Sequence, residues 1–166
     1  MGTLKCGRVN LNNKNVVKSL LDAIDRLVRI PSSYYLLKFK PEYYFEIVGA
    51  QLPSERGWYI ILEGKRPIYV GKADNLNARL NTNNGSIDNF ANKSRSSDSE
   101  RNFIKKFNEM KIFKHLRVCI IKESELCSKL NISPEELSDL DRGNIEKTIN
   151  IFRHRFSYLN YALTAD

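Results

Sequence analysis

The segment from Gly57 to Gly71 is the part of the sequence that most restricts the possible folds. It begins with an aromatic and β-branched run, continues through a short polar stretch that contains Gly64, and ends with Pro67-Ile68-Tyr69-Val70-Gly71. Two strand-forming runs separated in this way are typical of a β-hairpin. Tyr59 and Tyr69 lie symmetrically about Gly64. A turn centred there would place them directly opposite each other, with both hydroxyls on one face.

Helical spacing is found on both sides of this hairpin. Apolar residues recur at intervals of three and four from residue 13 to residue 30, and Pro31 follows where a helix should end. Asp74 is expected to cap a short helix that carries Leu76, Arg79 and Leu80. Residues 34–52 fit neither period and are expected to mix strand and loop.

The second half of the chain predicts a polar loop, then further helices and one strand. Residues 81–99 are mostly small and polar, and Ser97 with Glu100 has the spacing of a capping box before an apolar helical stripe. A strand is expected at 113–121, a helix start at Ser133-Pro134, and a helix at about 141–154. Glu146 would lie at the edge of the buried stripe of that last helix.

Composition favours an intracellular protein that binds a polyanion. Lysine and arginine number 27 and acidic residues 19, which gives a net charge of +8. The N-terminus has no secretory pattern, so we expect a cytoplasmic protein, and no apolar run is long enough to span a membrane. Cys6, Cys119 and Cys127 show no metal-binding spacing and are expected to be reduced. His115 and His154 have no partner pattern and are expected at the surface.

Four side chain types in this chain suit phosphodiester hydrolysis. A tyrosine can accept a proton from water, although its ordinary pKa of about 10 requires a nearby positive charge, for which Lys72 is a candidate. Arg79 offers a forked donor for phosphate oxygens, and Glu146 offers an oxygen ligand for Mg²⁺, or Mn²⁺ in its place. Taken singly, each of these residues is more often a packing or surface residue. The hypothesis therefore depends on their combination.

The same residues resemble the signature of the GIY-YIG nuclease family. Gly57-Trp58-Tyr59 and Tyr69-Val70-Gly71-Lys72, followed by Asn75 and Arg79, are similar to the hairpin and first helix of that family, especially in UvrC-type excision-repair proteins. The resemblance implies an α/β (α+β) fold with a small central antiparallel sheet flanked by helices. It also implies catalytic roles for Tyr59, Tyr69, Lys72, Arg79 and Glu146, and supporting roles for Gly57, Gly71, Asn75 and Asn160.

The chain departs from the family pattern in four respects. The gap between Glu146 and Asn160 is two residues longer than expected, and the proline that usually precedes the asparagine is missing. Trp58 stands where isoleucine is usual, and Asn83 occupies the place, one helical turn beyond Arg79, where many members have histidine or tyrosine. Asparagine cannot accept a proton, so the role of base is expected to fall to Tyr59, assisted by Lys72. A catalytically decayed DNA-binding module is the alternative that Asn83 suggests.

The resemblance divides the chain into a helical N-terminal extension at 1–55 and a nuclease domain at 56–166, with an insertion at about 81–100. Basic residues in and after the insertion are expected to contact DNA: Lys93, Arg95, Arg101 and Lys105. A chain of this size resembles a stand-alone type II restriction endonuclease, which would cut double-stranded DNA as a homodimer or higher homo-oligomer. A structure-specific repair or phage-type nuclease is the second interpretation.

Overall fold

A computed structural model describes residues 9–40, 44–47, 50–64, 66–80 and 116–156, and these form a small sheet with helices packed on it. The strands are β1 (Tyr34–Lys40), β2 (Tyr44–Ile47), β3 (Gly57–Glu63), β4 (Arg66–Ala73) and β5 (Leu116–Lys122). The helices are α1 (Lys14–Val28), α2 (Leu76–Leu80), α3 (Glu123–Leu130) and α4 (Asp139–Phe152). The described strands form a five-stranded sheet in the order β2-β1-β5-β3-β4, in which each neighbouring pair is antiparallel. The expected class, an α/β protein with a small antiparallel sheet flanked by helices, is confirmed.

Strand β3 is buried on both faces, which explains why its sequence is continuously apolar rather than alternating. Trp58, Ile60 and Leu62 pack into the cluster that contains α1, α3 and α4. Tyr59 and Ile61 face the other side of the sheet, where they pack with α2. Strand β3 therefore lies between two hydrophobic clusters, one on each face of the sheet.

The predicted hairpin is confirmed, but its predicted register is wrong. Glu63 pairs with Arg66, which leaves two positions for the turn, and Gly64 adopts a left-handed φ of 56°. A bulge then shifts the pairing between Ile61 and Leu62. Tyr59 is consequently paired with Gly71, and Tyr69 with Ile61. The shift from the predicted register is an even number of residues, so both tyrosines still face the same side of the sheet.

The N-terminal segment shares the sheet and the core with the rest of the described chain. Helix α1 confirms the helix predicted over residues 13–30, and Asn13 caps it by accepting a hydrogen bond from the Asn15 amide at 3.0 Å. Its buried side chains belong to the same cluster as Trp58. Strand β1 pairs with β5, for example Tyr34 with Cys119. The described part of the extension placed at 1–55 is thus continuous with the sheet.

Helix α4 begins at Asp139, after the helix start that the sequence predicted at Ser133-Pro134. The strong start at Ser133 produces only a 3-10 turn, Pro134–Glu136, because Leu137 returns to an extended backbone and is buried. Ser138 then caps α4, with its hydroxyl accepting from the Asp141 amide at 3.1 Å. The buried Asp141 carboxylate also accepts from the Val9 amide at 2.6 Å, which attaches the N-terminal segment to α4.

Several other sequence predictions can be compared with the described residues. The strand predicted at 113–121 is confirmed by β5 from Leu116 onward. Cys119 and Cys127 are free and buried, and burial raises the pKa of Cys119 to about 12. Within the described ranges, no helix has the length and apolar character required to cross a bilayer. The helix expected after Ser97 and Glu100, the insertion at about 81–100, Asn83 and His115 lie outside the described residues.

Candidate active site

The two signature tyrosines meet on one face of the hairpin. Their ring centroids are 6.0 Å apart and the ring planes are tilted by 30°. Tyr59 is only 2% exposed, whereas Tyr69 is half-buried at the edge strand β4. The two side chains are hydrogen-bonded to each other. A pair of linked phenols therefore has one deeply buried member and one that a ligand can approach.

Gly71 leaves the space that the Tyr59 ring occupies. It lies directly across the hairpin from Tyr59, and a Cβ atom at this glycine would be 2.4 Å from both Cζ and the hydroxyl oxygen of Tyr59. Such distances are far below van der Waals contact. The glycine is required because the phenol lies over its backbone. Its role here is close approach rather than an unusual backbone angle.

Helix α2 is held beside the tyrosines by its cap and by two buried leucines. Asn75, and not Asp74 as the sequence suggested, caps the helix, and its side chain accepts from the Ala78 amide at 2.9 Å. Asp74 instead lies 3.7 Å from Arg56 at the surface. Leu76 and Leu80 are fully buried. Asn75 thus orders the single turn from which the site arginine projects.

Gly57 allows the start of β3 to approach both β5 and α2 closely. A Cβ atom on this glycine would lie 2.3 Å from the carbonyl oxygen of Ile121 and 2.8 Å from Cδ1 of Leu76. The Leu76 amide also donates to the carbonyl of Glu55 at 2.9 Å. The expected supporting role of Gly57 therefore has a steric basis: it determines where α2 lies relative to the sheet.

Arg79 lies within electrostatic range of three other predicted site residues. It is half-buried on α2, and its charge lowers the pKa values of Tyr59, Tyr69 and Glu146. A guanidinium remains charged at all relevant pH values, so this position carries a permanent positive charge. Arg79 therefore interacts electrostatically with both the tyrosine pair and the carboxylate of α4.

Glu146 brings α4 into the same group of charges. Burial raises the pKa of its carboxyl, and the positive charges of Lys72 and Arg79 partly offset that increase. The carboxylate in turn raises the pKa values of Tyr59 and Tyr69. Residues from β3, β4, α2 and α4 therefore converge.

Lys72 lies on the opposite side of β4 from the tyrosine hydroxyls. It pairs across the hairpin with Trp58, and strand alternation directs residues 69 and 72 to opposite faces. Its Nζ atom is 3.9 Å from the place where a Cβ of Gly143 would be, so it extends along α4. Lys72 is not among the charges that shift the pKa values of Tyr59 and Tyr69. The expected assistance of Lys72 to Tyr59 is thus replaced by an interaction with Glu146.

The burial of Tyr59 argues against the role of base that was expected of it from the family resemblance. Burial is the largest cause that raises its pKa well above 10, and Tyr69 adds to the increase. The pKa of Tyr69 is also raised by burial, but its hydrogen bond with Tyr59 acts in the opposite direction. Of the two phenols, Tyr69 is therefore the easier to deprotonate, and Tyr59 retains its proton.

Glu146 is the one predicted metal ligand among the described residues, and those residues contain no cluster of three histidine, cysteine, aspartate or glutamate side chains. A half-buried carboxylate with few protein partners suits Mg²⁺ or Mn²⁺, which commonly retains water and takes substrate phosphate oxygens as further ligands. It does not suit zinc, which takes three or four protein ligands. The donor set fits the expected ion.

Two residues at this site were not recognised as important from the sequence. Trp58 was noted only as a departure from the family pattern, yet its indole N–H donates to the carbonyl of Arg142 in α4 at 3.1 Å. Gly143 adjoins Lys72. A buried tryptophan needs a hydrogen-bond acceptor, and that requirement was the available signal. The other predicted site residues lie outside the described ranges: Lys93, Arg95, Arg101, Lys105 and Asn160.

Comparisons of the chain with models of protein families, with curated proteins and with solved structures found no match.

Proposed function

We propose that this protein is a metal-dependent DNA endonuclease of the GIY-YIG type. The observation that carries the proposal is the convergence of two phenols, one guanidinium and one carboxylate from four separate elements. A basic chain with a net charge of +8 is suited to a polyanionic substrate. The family resemblance of the hairpin and α2 then gives the reaction class.

In this proposal Tyr69 first loses its proton to solvent, and the resulting phenolate accepts the proton of the attacking water. It is the more accessible phenol, and Tyr59 stabilises the phenolate by donating its hydrogen bond to it. As the new bond from the water oxygen to phosphorus forms, the bond from phosphorus to the leaving sugar oxygen breaks. That sugar oxygen takes its proton from solvent. The role of base thus moves from Tyr59 to Tyr69.

Arg79 stabilises the negative charge that develops on the phosphate oxygens. Glu146 would hold Mg²⁺ or Mn²⁺, which supplies further positive charge at the phosphate and the leaving oxygen. Lys72 neutralises the carboxylate from the side of the helix and keeps it oriented. Each residue therefore has a different task, and the loss of any one should reduce cleavage rather than DNA binding.

Within this class we favour a type II restriction endonuclease that cuts duplex DNA as a homodimer or higher homo-oligomer. A symmetric assembly would place two such sites on the two strands of a palindromic sequence. The basic residues Lys93, Arg95, Arg101 and Lys105 would contact the DNA, and the insertion at 81–100 would read base edges. A repair or phage-type nuclease of the same family is the second candidate.

Plasmid digestion with Mg²⁺ or Mn²⁺ tests the proposal. We expect discrete fragments whose sequenced ends share one motif, and loss of cutting in Glu146→Gln with retained DNA mobility shift. Glu125→Gln is the matched control, because Glu125 forms a surface ion pair with Lys122 at 2.8 Å on α3. Fragments without a common motif would favour the repair-type nuclease. Binding without cutting under both metals would favour the decayed module that Asn83 suggests.

A further inference from the structure

Trp58 connects the hairpin to the helix that carries Glu146. Its side chain is 1% exposed, and its indole N–H donates to the carbonyl oxygen of Arg142 at 3.1 Å. This bond runs from the start of β3 to the first turn of α4. A buried indole N–H without an acceptor would be costly, so the bond also restricts where α4 can lie.

The carbonyl that receives this bond has a special relation to Glu146. In an α-helix each carbonyl accepts the amide of the residue four positions later, so the Arg142 carbonyl is the helical acceptor for the Glu146 amide. Trp58 and the backbone of Glu146 therefore share one acceptor. A displacement of α4 along β3 would break the indole bond and move the Glu146 carboxylate by the same distance.

A second feature of the same strand pair agrees with this hydrogen bond. Lys72 is the cross-strand partner of Trp58, and its Nζ atom lies 3.9 Å from the Cβ position of Gly143. The paired residues of the hairpin thus lie beside consecutive residues of α4, Arg142 and Gly143. Lys72 is also the cation that most strongly opposes the raised pKa of Glu146. The indole hydrogen bond is therefore the contact that fixes the position of α4 along β3.

We propose that Trp58 is a positioning residue that fixes the Glu146 carboxylate relative to the tyrosine pair and so controls metal affinity. The inference rests on the proposed function in one respect, namely that Glu146 binds the divalent ion. It predicts that removal of the indole N–H weakens ion binding while the chemistry at saturating metal is largely preserved. If Trp58 only filled the core, its replacement would lower stability without weakening ion binding selectively.

Trp58→Phe removes the N–H, and Tyr34→Phe is the matched control. The Tyr34 hydroxyl donates to the Val28 carbonyl of α1 at 2.6 Å, so this control also removes a side-chain bond to a helix carbonyl, but from a different helix. Trp58 is the one tryptophan in the chain. Replacing it biosynthetically with benzothienylalanine, in which sulfur takes the place of the N–H, gives a second variant with nearly unchanged packing if Trp58→Phe does not fold.

Two measurements are made on each variant. The Mn²⁺ concentration for half-maximal plasmid cleavage should rise about tenfold in both Trp58 variants, with kcat at saturating Mn²⁺ within about twofold of wild type, as for loss of a group that orients a ligand. Independently of cleavage, the Mn²⁺ concentration that broadens the Glu146 amide resonance should rise by the same factor. Tyr34→Phe should change neither value.

The outcomes separate this inference from the proposed function. If wild-type protein never cuts DNA, but the Trp58 variants need the expected higher Mn²⁺ concentration to broaden the Glu146 amide resonance, the nuclease proposal is rejected and the positioning role is retained. Active wild-type protein with unchanged Mn²⁺ dependence in both Trp58 variants would overturn the positioning role and leave the nuclease intact. Equal shifts in the Trp58 variants and in Tyr34→Phe would also overturn it, because a general loss of stability would then explain them.

Discussion

Gly71→Ala should disturb the tyrosine pair more than any other single methyl group added to the hairpin. The new Cβ would lie 2.4 Å from Cζ and from the hydroxyl oxygen of Tyr59, whereas ordinary contacts begin at 3.4 Å. The ring must therefore move by about 1 Å, but it is 2% exposed and packed on all sides. Overpacking of this kind costs about 1–3 kcal/mol of folding free energy. A displacement of about 1 Å in a group that supports the reaction, as Tyr59 supports Tyr69 in the proposed mechanism, can lower the rate by about 100-fold.

Urea unfolding and plasmid cleavage measure the two effects. Gly64→Ala serves as the control, because nothing lies within 4 Å of its Cβ position and its φ of 56° makes the substitution strained without any contact with the tyrosines. That control should lose about 1 kcal/mol of stability and keep most of its activity. The cost of Gly71→Ala should largely disappear in a Tyr59→Leu background, which has no ring to displace. An equal cost in both backgrounds would refute the steric argument.

Three further outcomes follow from the site. Glu146→Gln should raise the melting temperature at pH 7, because burial raises the pKa of the Glu146 carboxyl and the folded state therefore favours its neutral form. This gain in melting temperature should vanish below pH 4.5, the ordinary pKa of the carboxyl, where the wild-type side chain is neutral as well. A lower melting temperature of the variant at pH 7 would contradict the prediction. Wild-type kcat should rise about tenfold per pH unit between roughly pH 7 and 9, since the Tyr69 pKa is raised above 10, and residual activity of Tyr69→Phe should lack that slope. Asn75→Ala should lose about 1 kcal/mol of stability in urea unfolding through loss of the α2 cap, whereas Asn75→Asp should retain it; equal losses would exclude the cap.

The hairpin could be predicted because its signal is local. The apolar runs, the glycine turn and the spacing of Tyr59 and Tyr69 determined the elements and the shared face of the two phenols. Their exact pairing could not be predicted, since the two-residue turn and the bulge next to Leu62 depend on backbone geometry that the sequence pattern does not encode. Because the register differs from the predicted one by an even number of residues, Tyr59 and Tyr69 still face the same side of the sheet.

Roles that depend on burial were harder to predict than elements. Tyr59 and Tyr69 look equivalent in the sequence, yet their difference in exposure comes from β5 covering one strand of the hairpin and leaving the other at the edge of the sheet. Lys72 was expected beside the tyrosines because it is close in sequence, but strand alternation turns it towards α4. Contacts between distant segments, such as Trp58 with Arg142, have no local pattern.

The position of β5 has a consequence for any attempt to isolate the part of this chain that carries the candidate site. Strand β5 lies between β1 and β3 and is hydrogen-bonded to both. Its partners are distant in sequence: β1 lies about eighty residues earlier and β3 about sixty residues earlier. A fragment that begins at residue 56 would leave a bare strand edge and uncover the apolar layer beneath α1. Such a fragment would be prone to self-association, because the described residues 9–40 and 44–47 belong to the same folding unit as the hairpin.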